Sequence, residues 1–164
     1  MRSNKILIRR ATQKDISAVD ELWKESAKYH GELDSRLAMR VDDTQHITEF
    51  HQEQLTKETA YFLVAVSDDA VVGFSIAHIM TLQPHHLLKY LGIIDALAVT
   101  SAYRGQGIGS QLYSKTLEWF ELQNVERIDT SVAAKNPRAQ SFWQKKGFTP
   151  RIYHISYELS RRNG

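Results

Sequence analysis

The chain contains no cysteine. That single absence removes thiol nucleophiles, zinc–thiolate sites, disulfides and any cysteine-borne acyl intermediate. No apolar run approaches the roughly 20 residues of a membrane helix. Met1 to Arg10 has no apolar core ahead of a small-residue cleavage site, so a cytoplasmic location without membrane association is expected. Charge of one sign is scarce: 21 Lys and Arg against 19 Asp and Glu leave a net +2. The basic residues are scattered apart from Arg161-Arg162 at the tail, so no nucleic-acid partner is expected. Repeats, low-complexity tracts and linkers are missing too. What remains is 164 residues, 42% hydrophobic and 24% charged. That is ordinary globular usage and enough chain to bury a core, and it is read as one domain spanning 1–164.

Periodicity orders the elements. Lys5 to Arg9 predicts a first strand. Thr12 with Asp15 three residues on resembles a capping box, and Ile16, Val19, Leu22, Trp23 and Ala27 stripe one face of a helix ending near Gly31. Glu32 to Glu58 is polar, with Ile47, Phe50 and Leu55 anchoring a second helix, read as a solvated surface helix in preference to a cap over a site. Tyr61–Val66 and Ala70–Met80 predict a hairpin about Ser67-Asp68-Asp69. Gln83 to His86 breaks the chain before a third strand, Leu87 to Val99, whose one acid is Asp95. Ile108, Leu112, Tyr113, Leu117 and Phe120 line the next helix. Ile128, Thr130 and Val132 then alternate as a strand over 127–133. Asn136-Pro137 starts a last helix as N-cap and first helical residue, and Gly147 stops it. Tyr153, Ile155, Tyr157 and Leu159 at period two predict a closing strand. The order β-α-α-β-β-β-α-β-α-β predicts an α/β domain with a mixed, mostly antiparallel sheet flanked by helices.

The chemistry concentrates between the third strand and the helix after it. Gly105, Gly107 and Gly109 alternate there, followed by the unsatisfied N–H groups and positive dipole end of a helix. Together they suit an anion, a pyrophosphate above all, with Arg104 as a charged donor. Gly109 is followed by Ser110-Gln111 with no lysine, so a P-loop, and with it a nucleotide-binding domain using the same cradle, is disfavoured. A dinucleotide fingerprint fails as well, because its third glycine falls on Ser110 or Leu112. Glycines that serve only a tight, packed turn are the plain alternative.

Ala96-Leu97-Ala98-Val99 followed by Arg104-Gly105-Gln106-Gly107-Ile108-Gly109 resembles the acetyl-coenzyme A motif of the GCN5-related N-acetyltransferases (GNAT). Asn136-Pro137-Arg138-Ala139, Phe142-Trp143 and Gly147-Phe148 resemble the same family's second cofactor helix. The resemblance implies a splay between the strands Ile93–Val99 and Arg127–Ala133, with the pantetheine arm in the gap. Backbone of Leu97, Ala98 and Val99 would hold that arm, one N–H polarising the thioester carbonyl. Backbone N–H groups of Gln106, Gly107, Ile108, Gly109 and Ser110 would grip the pyrophosphate. Asn136 would reach the arm, with Phe142 and Trp143 at its thiol end. The co-substrate implied is acetyl-CoA with no metal, and the activity is acetyl transfer to a primary amine of a small molecule or protein in a ternary complex. A homodimer is common in the family. The alternative is a coenzyme A-binding sensor or interaction module with little catalysis.

Attack on a thioester requires a neutral amine, and a lysine-like amine has a pKa of about 10.4, so a base is needed. Asp95, alone among apolar neighbours and aligned with a glutamate base of polyamine-acetylating relatives, is the candidate catalytic residue; facing the other side of the sheet is its alternative. Trp143 stands where many relatives carry tyrosine, and an indole N–H is no usable acid. Tyr103 and Tyr113 are read as packing. His46 and His51, five apart, do not share a helical face, and His85-His86 fall in a loop, so no metal site is expected.

Overall fold

A computed structural model describes residues 5–159; Met1–Asn4 and the Arg161-Arg162 pair lie outside the described residues. The first strand, β1 (Leu7–Arg10), runs into a turn that Asp15 organises. The Asp15 carboxylate accepts from Thr12 N at 2.7 Å, Thr12 Oγ1 at 2.8 Å and both terminal nitrogens of Arg9. Arg9 first, then Thr12, holds the buried Asp15 carboxyl down to about 2. Helix α1 (Ile16–Leu33) follows, then α2 (Thr44–Thr56). The helix predicted to stop near Gly31 thus continues to Leu33.

The face α2 buries is not the one its sequence suggests. Ile47 is buried as expected, but Phe50 is 44% exposed while His51 and Gln54 are buried. His51 can go inside because α1 supplies a partner: its Nδ1 lies 2.6 Å from Asp20 Oδ1, and Thr48 Oγ1 donates to Asp20 Oδ2 at 2.6 Å. A buried polar group is tolerated when hydrogen-bonded.

Strands β2 (Ala60–Ser67) and β3 (Ala70–Thr81) form the expected hairpin. Asp68 and Asp69 turn it with φ of +45° and +65°, the two-residue geometry that matches strand twist and that Asp tolerates. β4 (Tyr90–Val99) adds antiparallel to β3, α3 (Ile108–Leu122) follows, and β5 (Arg127–Thr130) joins parallel to β4. The five strands lie in chain order, β1 to β5, giving the mixed, mostly antiparallel sheet that was expected.

Alternation along the strands builds a core on each face. Phe62, Val64, Phe74 and Ile76 pack with Ile16 and Val19 of α1; Leu63, Ala65 and Val72 pack with Ile108 and Leu112 of α3. Burying each large side chain contributes about 1.5–3 kcal/mol. Gly92 of β4 is required by that packing: a Cβ there would lie 2.7–2.9 Å from three ring atoms of Phe120.

The chain divides into two compact units after Ser131. In the second, α4 (Pro137–Lys145) begins as read: Asn136 Oδ1 accepts from Ala139 N at 3.1 Å, with Pro137 in the first turn. Gly147, at φ +90°, follows its end. The predicted closing strand is corrected. Residues 148–159 form no strand, and Tyr153, Ile155, Tyr157 and Leu159 are 83–93% exposed. Period two marks a chain suited to a ladder; a strand also needs a neighbouring strand to pair with, and among the described residues no strand pairs with this segment.

Candidate active site

β4 changes character halfway along. From Leu91 to Ile94 it pairs with β3 on one side and with β5 on the other, and the β5 ladder ends at Ile94–Thr130. From Ala96 to Val99 it pairs with β3 alone, against Ile76, Ser75, Phe74 and Gly73. Among the described residues no strand runs along its other side. That is the splay expected between these strands, although β5 is shorter than the predicted 127–133. Leu97, Ala98 and Val99 sit on the open edge, which can accept another extended chain through backbone hydrogen bonds. The Val99 carbonyl is already used, accepting from Arg104 Nε at 2.9 Å.

The open edge leads into the glycine loop. Gly105 and Gly107 take φ of +76° and +79°, and a Cβ on either would meet nothing within 4 Å. These are conformations that favour glycine, with free space above them. The first N–H to find a helical acceptor in α3 is that of Gln111, which donates to Gly107 O at 3.0 Å. The N–H groups of Ile108, Gly109 and Ser110 precede it and have no partner within the helix. Three donors, the helix dipole and a concave backbone make this loop fit a diphosphate.

Arg104, the charged donor of the sequence reading, has partners within the protein. Its guanidinium reaches Glu25 of α1 at 3.4 Å as well as Val99 O. Glu25 also accepts from Thr100 Oγ1 and Ser101 N, each at 3.3 Å. Glu25, which sequence reasoning missed, thereby fastens the end of β4 to α1. Gln106 Nε2 turns back to Ala102 O at 3.5 Å.

Asp95 is the extra residue of a β-bulge: Ile76 pairs with Ala96 and Ala77 with Ile94, so Asp95 has no partner of its own on β3. A bulge re-aims a side chain. The carboxylate meets His78 of β3, with Nδ1 2.6 Å from Asp95 Oδ2 and both side chains about one-third exposed. Alternation places His78 on the face of Phe74 and Ile76, beneath α1 and α2. His78 was also missed; the register that brings it beside Asp95 depends on the bulge, which no spacing announces. Tyr113 is buried as the packing reading expected, and Tyr103 packs against the α3-side core. Burial raises the Tyr113 phenol above its ordinary range.

In the second unit Phe142 and Trp143 form an aromatic cluster with Phe148. Trp143 meets Phe142 edge-on at 5.0 Å and Phe148 at 4.9 Å, and is 8% exposed. Asn136 is buried with its Oδ1 committed to the α4 cap. The other histidines are spread out: His46 pairs with Asp43, and His85 stacks on His86. The described residues hold no group of three or more potential metal ligands, and no helix among them is long and apolar enough to cross a membrane.

A sheet opened beside one strand, with that strand feeding a glycine loop at a helix N-terminus, is the architecture of an acyltransferase. The profile described as "Acetyltransferase (GNAT) family" matches residues 18–148, and the chain belongs to that family. Over 125 residues it is 26% identical to a Bacillus subtilis (strain 168) protein named, provisionally, ribosomal protein bS18-alanine N-acetyltransferase, covering 68% of this chain and 78% of that one. A Schizosaccharomyces pombe relative, N-alpha-acetyltransferase 30, is 30% identical over 88 residues; these are 54% of this chain and 57% of that protein's length. Among solved structures, a mutant of the Bacillus halodurans BH1408 protein superposes with a TM-score of 0.84 at 23% identity, covering 94% of this chain and 99% of that one.

Proposed function

We propose that the protein transfers an acetyl group from acetyl-CoA to a primary amine by direct attack in a ternary complex, residues 1–164 working as one domain. The observation that carries this reading is the continuity of the open β4 edge, Ala96–Val99, with three unpartnered helix N–H groups at 108–110. An extended arm on the edge and a diphosphate on the loop are the two halves of one pantetheine-diphosphate ligand. In this reading backbone of Leu97 and Ala98 pairs with the arm, Gly105 and Gly107 leave room for the phosphates, and Ile108, Gly109 and Ser110 donate to them. Bound acetyl-CoA supplies the activated thioester. A backbone N–H of the open edge faces its carbonyl oxygen and stabilises the charge that develops there. For the second unit, Asn136, Phe142 and Trp143 are assigned to the cofactor by the family's pattern alone.

The Asp95–His78 pair lies where β4 opens and serves the acceptor, accepting the amine's proton and attracting its cationic form. No acid is needed to expel the thiolate, since a thiol of pKa about 8.5 is a fair leaving group; Trp143 in place of the family's frequent tyrosine is therefore compatible with turnover. The B. subtilis relative's name points to a protein α-amine as one acceptor worth testing. Calorimetry with CoA and acetyl-CoA tests the first half of the proposal, and thiol release over a panel of spermidine, amino acids, an aminoglycoside and an alanine-initiated peptide tests the second. Expected are binding heat and thermal stabilisation by both ligands, and release that depends on one amine of the panel. No heat and no stabilisation overturns the proposal.

A further inference from the structure

We infer that His78 is the group that takes the amine's proton and that Asp95 is a positioning residue for it. The inference rests on the acetyl-transfer reading above and divides the labour between the two side chains.

The geometry assigns the roles. His78 Nδ1 is 2.6 Å from Asp95 Oδ2. Beside a carboxylate that nitrogen carries the hydrogen, because the carboxylate can only accept. Nε2 is then left with its lone pair, on a side chain 31% exposed and so accessible from outside. This arrangement fixes one tautomer and one ring orientation, the part a buried carboxylate plays for a catalytic imidazole. Asp95 alone is the weaker candidate on chemical grounds. Its Oδ2 already accepts from the imidazole Nδ1–H, whereas Nε2 keeps a lone pair that can take a proton. The bulge supplies a structural reason for the pairing. In a regular ladder the residue opposite His78 is Ile93; the extra residue at 95 brings a carboxylate to the same imidazole without disturbing that pair.

Among the described residues His78 has Asp95 as its ion-pair partner. Its cross-strand neighbours, Ala60 of β2 and Ile93 of β4, do not titrate. Asp129 of β5 is one strand further, opposite Ile93, and reaches Arg127. On the helices covering this face, Asp20 of α1 and His51 of α2 are bonded to each other, and Glu25 is occupied by Thr100, Ser101 and Arg104.

The amine lone pair forms the new C–N bond at the thioester carbonyl, and the C–S bond breaks with its electron pair remaining on sulfur. The proton lost from nitrogen goes to His78 Nε2, and the imidazolium is stabilised by Asp95 through Nδ1–H. It returns the proton to the thiolate or to water, which regenerates the starting imidazole.

The test compares His78→Gln, Asp95→Asn and the full wild-type chain. In the protein without ligand, ¹⁵N NMR of the imidazole is expected to show a protonated Nδ1 and a bare Nε2 in the wild type, and a mixture of tautomers in Asp95→Asn. In the assay, kcat/KM is expected to fall along an acid limb as the base becomes protonated. His78→Gln should lose at least about 100-fold in kcat, lose that limb and keep the wild-type affinity for CoA. Asp95→Asn should retain the limb, displaced, with a smaller loss. An acid limb unchanged in His78→Gln, or a bare Nδ1 in the wild type, overturns the inference while acetyl transfer stands. A wild-type chain that binds no CoA overturns both.

Discussion

The two halves of β4 are both largely apolar and have opposite uses. Leu91–Ile94 is held by ladders on both sides and is filled against α3, so closely that Gly92 has room for no side chain. Asp95–Val99 is held on one side, carries the bulge and ends in a loop where two glycines face empty space. Closure in the first half provides rigidity; openness in the second leaves backbone donors and acceptors for a ligand. The break between them falls at Asp95, the residue that touches His78. Damage to the closed half should therefore appear as lost stability with binding intact per folded molecule, and damage to the open half as lost binding with the fold retained.

The largest effect belongs to the closed half. In Gly92→Ala the new Cβ would lie within 3 Å of the fully buried Phe120 ring, which has nowhere to retreat. Overpacking of this kind costs about 1–3 kcal/mol, a fall of several degrees in Tm for a chain of this size. Combining it with Phe120→Leu should recover part of the loss. An undiminished Tm in the single variant would show that the sheet yields at Gly92 and that the closed half is not rigid.

Acid distinguishes the ends of the sheet next. The Asp15 carboxyl is held at about 2, chiefly by Arg9 and then by Thr12, against about 3.9 for an unfolded chain. A carboxyl depressed on folding contributes stability that is full above its unfolded value and disappears as pH falls through the folded one. Between about pH 5 and pH 2 the wild type should thus lose on the order of 2 kcal/mol from this residue. Asp15→Asn should be less stable at pH 7 by a similar amount and less sensitive over that acid range, as followed by urea titration at each pH. Binding of CoA at pH 7 should not change.

Gly107→Ala carries the comparison to the open half. Space is available, so the cost is one non-glycine residue at φ +79°, roughly 1–2 kcal/mol. If the backbone relaxes to relieve that strain, the N–H groups at 108–110 turn with it, and CoA affinity should fall about tenfold or more in calorimetry while Tm falls by only a few degrees. Equal affinity would remove the loop from the diphosphate site.

Legibility in the sequence followed the same division. Closed, locally determined features were readable: the Thr12–Asp15 turn, the Asp68-Asp69 hairpin, the stripe of α3 and the Asn136-Pro137 start each depend on a few neighbouring residues. The glycine loop was readable because its spacing is itself the geometry. His78 and Glu25 were not, since each acquires its partner from 17 or more positions away through a bulge or a helix docked across the sheet. Phe50 was misread as an anchor for a related reason: helical spacing marks apolar faces, and the face α2 buries carries His51, completed by Asp20 from another helix. The period-two tail misled in the other direction, because alternation records that a strand could form and not that a neighbour exists.

The smallest effect is the most informative about how the halves communicate. Glu25 holds Thr100, Ser101 and Arg104 through contacts of 3.3–3.4 Å at a partly exposed position. Such contacts are individually worth less than about 1 kcal/mol, so Glu25→Gln should leave Tm within about 2 °C of wild type. The carboxylate nevertheless fixes the segment that joins the open edge to the glycine loop, and a guanidinium released from it becomes available to the diphosphate. The two consequences oppose each other: a looser loop weakens CoA binding, and a freed Arg104 strengthens it with a steeper dependence on salt. Measuring CoA affinity at two ionic strengths separates them. A loss of a few-fold with unchanged salt dependence is expected if Glu25 acts by positioning. A gain that vanishes at high salt would mean that the Glu25–Arg104 pair restrains a phosphate ligand, and would restore to Arg104 the role its place beside the glycines suggested.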